Sequence, residues 1–496
     1  MDFLAALKPG SSVYFVGIKG TGVCALAEFM QGMGIKTAGS DIPEAFYTDA
    51  ILRELGIPFH ESFDPAHIGD DIDLVVHSAA YTAESNVELA QAQRKAVPLM
   101  VYPEALGAYS AGFDSTGITG VHGKTTTTAM CGCVLRALAL PARVLVGSAV
   151  ANFGGRSTLV LGDKYFVAET CEYKKHFLSF RPWRIVLTSV ESDHQDFFPT
   201  YESIRDAFVE YCRLIPPGGQ LIFCADDPGA GEVAGIVERE GRDIELVPYG
   251  FSAAGDYGID SYRICTGDGD GEGRAAFRVN AFPEELYLSV PGRHQALNAA
   301  AAIALAGVLL KKEFGEGWND RRRAAVKKGL EEFTGSKRRA EIVGNAGGIV
   351  FMDDYGHHPT AIRSTLEGLR AFYPSRRIVV SFMSHTFTRT AALLDGFADS
   401  LSGADVLFLH KIYASAREHF DGHIDGMSIH QRIEKLRDEK PLGERPLPLL
   451  HYVDEPIEAF EPLKQILKPG DLFLTLGAGN NWPLGVRLFE HYRGAS

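Results

Sequence analysis

Short apolar runs closed by small polar residues alternate along the chain with segments whose apolar positions recur at helical spacing. The alternation starts at once. "SSVYFVGI" is an apolar strand ending at Gly17, and after "KGTG" the residues Val23, Leu26, Ala27 and Met30 line one face of a helix. "IKTAGSD", "DIDLVVHSAA" and "STGITG" are further strands, and "AMCGCVLRAL" continues the helix after the last of them. Strand patterns return at "DKYFVAE", "WRIVLTSV" and "GGQLIFCADD". The small-residue run "RHQALNAAAAIALAGVLL" reads as a buried helix and "DRRRAAVKKGLEEF" as a helix with a solvated charged face. Finally, "GIVFMDDYG", "RRIVVSFMS", "ADVLFLHKI" and "GDLFLTLGAG" are four strands separated by helix-length segments, the pattern of another doubly wound sheet. The Gly/Asp-rich "TGDGDGEGRAA" lacks the twelfth-position glutamate of a calcium loop, since Val279 stands there, and reads as an exposed hairpin turn.

A chain of 496 residues exceeds one ordinary core, and the pattern divides it into three α/β domains, 1–110, 111–336 and 337–496. An apolar content of 46% and a charged content of 23% are those of globular protein, and no apolar run approaches the roughly 20 residues of a membrane span. The start shows no secretion-signal pattern, and seven scattered cysteines suit a reducing compartment, so the expected location is cytoplasmic, with no membrane insertion. A net charge of −14 argues against a nucleic-acid partner. Local cations that suit a phosphorylated small molecule remain at Lys124, at Lys337, Arg338 and Arg339, and at Arg389.

The most informative stretch is "TGVHGKTTTT", residues 119–128. Threonine is a poor helix former, yet four open this helix. A glycine-rich turn between strand and helix gathers backbone N–H groups at the positive end of the helix dipole, a site for phosphate. Gly120, Val121, His122 and Gly123 would form that turn, Gly120 and Gly123 leaving room for phosphate oxygens. Lys124 would meet the terminal phosphates, Thr125 would offer its hydroxyl to Mg²⁺, and the hydroxyls of Thr126 and the next threonines would line the site. Ile118 stands where the common loop has glycine, so this is a P-loop variant.

This stretch resembles the ATP loop of the Mur ligases, and other segments fall in that family's order over nearly the whole chain. They are "FVGIKGTGVCALAEFM…GSD", "VAETCEYKKHFL", "VESDHQDFF", "PGRHQALNAAAA", "KRRAE", "DDYGHHPTAI", "SHTFTRT", "IYASARE" and "LGAGNNW". The resemblance implies a Rossmann-like N-terminal domain for a UDP-sugar, a central P-loop ATPase-like domain and a C-terminal Rossmann-like domain for the amino acid. It further implies the family's first step: ATP and Mg²⁺ drive the joining of L-alanine to the carboxylate of UDP-N-acetylmuramate through an acyl phosphate, in peptidoglycan precursor synthesis. A monomer or weak homodimer is expected.

By the same resemblance Glu169 and His194, with Thr125, are magnesium ligands. Asn298, in one segment with His294, contacts adenine; Arg339 reaches the ATP phosphates; Asp354 and His357 stand near ATP and the incoming amino acid. A histidine there could take the ammonium proton, its ordinary pKa lying near working pH. His385 and Arg389 face the substrate's carboxylate or phosphate. Gly17, Gly20, Thr21 and Gly22 cradle the UDP diphosphate, with Ser40, Asp41 and Ser78 beside the nucleoside. Glu172 reads as a loop stabiliser. The chain departs from the family at Lys19, Ser189, Gln295, Gly356, Ala361, Met383–Ser384 and in the longer "IYASARE". Lys19 is expected either to add a phosphate contact or to be a solvated loop residue.

Three rival readings compete. One is the related recycling ligase, which adds a tripeptide to the same sugar. Another is a nicotinamide dehydrogenase, since Gly20, Gly22, Ala25 and Asp41 loosely satisfy a dinucleotide fingerprint that leaves Lys124, Thr125 and Glu169 unexplained. The third, a non-catalytic nucleotide-sugar sensor, would not need the metal ligands.

Overall fold

The computed structural model describes residues 7–265, 273–414, 423–439 and 446–494. These form two compact units, one of Met1–Val190, Arg205–Pro248 and Ala301–Gly317, the other of Glu191–Ile204, Tyr249–Ala300 and Trp318–Ser496.

The first unit holds two sheets. Strands β1 (Ser12–Val16), β2 (Lys36–Ser40), β3 (Phe59–His60), β4 (Leu74–His77) and β5 (Leu99–Val101) make a parallel sheet in the order β3-β2-β1-β4-β5. Helix α1 (Thr21–Gly32) follows β1 and buries Val23, Leu26, Ala27 and Met30, the face its spacing predicted. The strand order reverses at β1, so the loops after β1, β2 and β4 share the carboxyl edge where ligands bind in open α/β sheets.

The second sheet contains β6 (Asp114–Thr119), β7 (Ala142–Val150), β8 (Arg156–Val160), β9 (Tyr165–Glu169), β10 (Arg184–Leu187), β11 (Gly219–Cys224) and β12 (Ile244–Tyr249), in the order β12-β11-β10-β6-β9-β7-β8. Helix α2 (Lys124–Ala137) leaves β6. β6 is central and buried from Ser115 to Thr119, with β9 and β10 parallel on either side; Ile118 lies opposite Glu169, and Thr119 opposite Leu187. Three strand ends therefore meet around the start of α2.

The second unit holds the antiparallel sheet β13 (Ile259–Cys265), β14 (Arg274–Val279) and β15 (Leu286–Leu288). Its β13–β14 turn falls at 266–272, so the hairpin-turn expectation lies outside the described residues. Helix α3 (Arg293–Phe314) follows. The last sheet has β16 (Glu341–Ala346), β17 (Ile349–Asp354), β18 (Arg377–Phe382), β19 (Val406–Leu409), β20 (Leu449–Tyr452) and β21 (Asp471–Leu476), in the order β16-β17-β21-β18-β19-β20, with only β16–β17 antiparallel. Helices α4 (Pro359–Phe372) and α5 (Phe387–Ala392) follow β17 and β18. Apolar residues of this sheet and α4, including Val350, Val380, Leu407, Leu474, Ile362 and Leu369, form one core that fixes the strand ends carrying the candidate residues. Among the described residues, no helix is long and apolar enough to cross a membrane.

Candidate active site

The turn after β6 is held from the side. Gly120 has φ +134°, and a Cβ there would lie 2.7 Å from the Ser189 backbone nitrogen and collide with the Thr188 hydroxyl. Its need for glycine thus comes from the end of β10, besides any phosphate. The N–H groups of Val121 and His122 donate to the Ser189 carbonyl (3.0 Å) and hydroxyl (2.8 Å). Ser189, noted as a departure, is therefore a brace for the turn. Gly123, at φ +81°, occupies the N-cap of α2 and turns the chain into it.

Lys124 opens α2. Its ammonium donates to the Gly120 carbonyl, to the Val121 carbonyl at 3.4 Å and to both oxygens of Glu172 at 3.1 and 2.9 Å. Burial, the largest single influence, would lower the lysine pKa, but the Glu172 and Glu169 charges, Cys171 and the Glu172 hydrogen bond together outweigh it and raise the value, so the cation persists. Thr125 donates to Glu169 Oε1 at 3.1 Å, and Gly147 N–H donates to Oε2 at 2.9 Å. The expectation that all four threonine hydroxyls line the site is corrected beyond Thr126. Thr127 is fully buried, and Thr128 bonds back to the Lys124 carbonyl at 2.8 Å, a bond that satisfies the polar group inside the helix.

At the edge of the first sheet, Gly17 N–H donates to the Ser40 carbonyl and Ser78 N–H to the Val16 carbonyl, which brings Gly17, Ser40 and Ser78 together; Gly20 caps α1, and Thr21 and Gly22 begin it. Asp41 accepts from the N–H groups of Lys19 (2.7 Å) and Ile42 (2.8 Å). Both readings of Lys19 are corrected: it is buried, its ammonium on the Glu44 carbonyl (3.0 Å), Glu61 (3.1 Å) and Asp49 (3.4 Å). Acids absent from the "KGTG" motif itself pull it away from solvent. Ser40 donates to Glu88, a fully buried carboxylate that also accepts from Tyr14 at 3.2 Å and meets His67 Nδ1 at 2.7 Å. Sequence reasoning missed Glu88, because nothing in "NVELA" distinguishes it from a solvated helix acid.

In the second unit, His194 sits at φ +53°, a costly conformation for a non-glycine residue. Its N–H donates to Asp193 Oδ1 at 2.7 Å. The same oxygen accepts from Arg389 Nε (2.9 Å) and lies 2.8 Å from Nη2, both side chains buried; Arg389 also donates to the His385 carbonyl at 2.7 Å. Arg389 thus forms a buried ion pair with Asp193 rather than a surface one. Burial would raise the Asp193 pKa, but Arg389 and the neighbouring histidines hold it far below the usual carboxylate range. His385 Nδ1 lies 2.8 Å from the Tyr413 carbonyl. The unusual part of "IYASARE", from residue 415, lies outside the described residues.

His357 Nδ1 lies 3.1 Å from the Tyr355 carbonyl, so Nδ1 carries the proton and Nε2 is the acceptor. Burial first, then the Arg389 charge, push its pKa well below 6.5; the expected value near working pH is corrected to a firmly neutral imidazole. His358 instead caps α4. Asp354 accepts from Ala340 and Gly356 N–H groups, both at 2.7 Å, and so ties the "KRRAE" turn to the "YGHH" turn. Arg338 and Arg339 each lie 5.0 Å from the Tyr355 ring centre, and His357 packs edge-on to it. Tyr355 is a second residue the sequence left unmarked. On α3, Asn298 donates to Gln295 Oε1 at 3.2 Å and Gln295 meets His294 at 3.1 Å, a chain that accounts for the polar side chains among alanines.

Three family models match the chain: "Mur ligase family, catalytic domain" over 12–114, "Mur ligase middle domain" over 118–306 and "Mur ligase, glutamate ligase domain" over 338–479. A UDP-N-acetylmuramate–L-alanine ligase of Treponema pallidum is 46% identical over 484 residues, 98% of this chain and 97% of the relative. That of Borreliella burgdorferi is 35% identical over 96% and 97%. Among solved structures, UDP-N-acetylmuramate–alanine ligase MurC of Thermotoga maritima superposes with a TM-score of 0.74 at 26% identity, covering 98% of this chain and all of that one. A murein peptide ligase of Psychrobacter arcticus shares the fold, with a TM-score of 0.63 at 22% identity over 97% and 98%.

Proposed function

Because the chain belongs to the Mur ligase family, we propose that it performs the reaction named for its alanine-adding relatives: ATP-dependent joining of L-alanine to UDP-N-acetylmuramate, in peptidoglycan precursor synthesis. It is an ATP-dependent acid–amino-acid ligase, and its three domains are bounded near residues 110 and 336. One arrangement carries the reading: a lysine-bearing turn at the central strand end, with the Thr125–Glu169 pair beside it.

A carboxylate is a poor electrophile. Transfer of the ATP γ-phosphoryl group to it makes an acyl phosphate; the amine of L-alanine then attacks, and phosphate leaves. Positioning and positive charge account for most of such catalysis. Lys124 supplies a fixed cation for the terminal phosphates. Thr125 and Glu169 are hard oxygen donors 3.1 Å apart, the donor set that suits Mg²⁺, with His194 the third residue assigned to it. Bound there, Mg²⁺ would neutralise developing phosphoryl charge. Gly147 N–H fixes the Glu169 carboxylate for that role. His357, its neutral Nε2 a hydrogen-bond acceptor, orients the incoming amine, Arg339 stacks on Tyr355 toward the phosphates, and Asn298 receives adenine. Gly17, Gly20, Thr21, Gly22, Ser40, Asp41 and Ser78 form the UDP-sugar edge, with His385 and Arg389 serving the sugar substrate. The protein works in the cytoplasm as a monomer or weak homodimer. The dehydrogenase reading leaves the lysine-bearing turn and the Thr125–Glu169 pair without a role, and this disfavours it.

The test supplies UDP-N-acetylmuramate, ATP and Mg²⁺ and screens amino acids for ADP release. L-Alanine is preferred, and Lys124→Ala abolishes turnover while UDP-sugar binding persists. Turnover only with a tripeptide, or dependence on NAD⁺, overturns the proposal.

A further inference from the structure

The phosphate-binding lysine is already occupied. Lys124 has three N–H groups, and Gly120, Val121 and both oxygens of Glu172 engage them. The Glu172 side chain is 2% exposed and that of Lys124 13%, so this pair is shielded from water rather than frayed into it. An ammonium carries no spare donor for an incoming triphosphate until it gives one up. Glu172 offers what a phosphate offers, two anionic oxygens at charge-assisted hydrogen-bond distance.

We infer that Glu172 is a positioning residue that stands in for the ATP phosphates: it holds Lys124 in place when nucleotide is absent, yields it when ATP binds and takes it back as ADP and phosphate leave. The inference rests on the assignment of Lys124 to the phosphates. Two consequences separate it from simple loop support. Competition by Glu172 reduces apparent ATP affinity by the fraction of time Lys124 is held, so a carboxylate that holds it nine-tenths of the time costs about tenfold. Recapture of Lys124 helps release products, so its loss slows turnover.

Glu172→Gln keeps the shape and one acceptor oxygen while removing the charge. ATP binding to the full chain, measured by calorimetry with Mg²⁺ and no UDP-sugar, is expected to tighten about tenfold. Steady-state assays are expected to show KM for ATP and kcat falling together, because ADP leaves more slowly. Glu172→Asp, which shortens the reach, gives a smaller change in the same direction and serves if the glutamine variant does not fold. Unchanged or weaker ATP binding in the folded variants overturns the inference, as loop support alone would produce that result. Adding Glu172→Gln to Lys124→Met must bring no gain; a gain would show that the effect bypasses the lysine. If Lys124→Met by itself binds ATP as tightly as the parent, the assignment of Lys124 fails, and that failure is read separately from the Glu172 comparison.

Discussion

Gly147→Ala adds one methyl group beside the proposed magnesium ligand. Built on the present backbone, that Cβ lies 2.5 Å from Glu169 Oε2, 2.9 Å from its carboxyl carbon and 3.0 Å from Oε1, whereas ordinary contact begins at 3.4 Å. The carboxylate must therefore retreat by about 1 Å, which breaks its 2.9 Å bond from the Gly147 N–H. A hydrogen bond to a charged acceptor contributes about 1.5–3 kcal/mol. A displacement of about 1 Å at a positioned group costs about a hundredfold in rate. We expect kcat/KM for ATP to fall by about a hundredfold, near 2.7 kcal/mol, with half-saturation by Mg²⁺ moved to higher concentration. The fold should persist, because Gly147 is exposed and is not among the residues with positive φ. The assay is ADP release across a Mg²⁺ titration, with thermal melting as the control for folding. An unchanged Mg²⁺ dependence at normal kcat/KM would refute the placement of Glu169 as a ligand seated by Gly147.

Other outcomes follow from the second unit. Asp193→Ala leaves the Arg389 guanidinium buried without its counter-ion, which should cost about 3–5 kcal/mol, read as a lower urea midpoint and a higher KM for the UDP-sugar. The folded pKa of Asp193 is depressed, so its stabilisation is present above the unfolded value of 3.8 and is lost as pH falls toward the folded one. Replacement by alanine should therefore matter as much at pH 5 as at pH 7, checked by urea midpoints at both. His410, with Nε2 2.8 Å from Ser381 Oγ and Nδ1 2.8 Å from the Val453 carbonyl, has its pKa lowered from 6.5 to about 4 by burial. Between those values the unfolded chain holds the extra proton, so stability is lost as pH is lowered through this range, by about 3 kcal/mol at pH 4. His410→Gln should flatten that part of the pH dependence in urea unfolding.

Much of the fold was legible because strands such as β10, β17 and β18 are largely apolar runs buried along nearly their whole length. Shorter or more polar strands, β3, β8 and β20, carry no such run and were not read. The phosphate turn was legible because glycine, lysine and threonine occur together there for reasons local to a strand–turn–helix. What escaped depends on distant partners. Lys19 read as a phosphate contact or a solvated loop residue until Asp49 and Glu61 closed on it, and nothing in "SHTFTRT" announced the buried Asp193 partner of Arg389. Glu88 and Tyr355 looked ordinary because their work is to orient other groups.

The central claim is that the muramate carboxylate becomes acylating by taking the γ-phosphoryl group of ATP. In that step a carboxylate oxygen bonds to phosphorus and leaves with phosphate when the amine attacks. The direct measurement uses UDP-N-acetylmuramate labelled with ¹⁸O in that carboxylate, with ATP, Mg²⁺ and L-alanine. The account predicts one labelled oxygen in the inorganic phosphate for each peptide bond formed; product formation with unlabelled phosphate would contradict it.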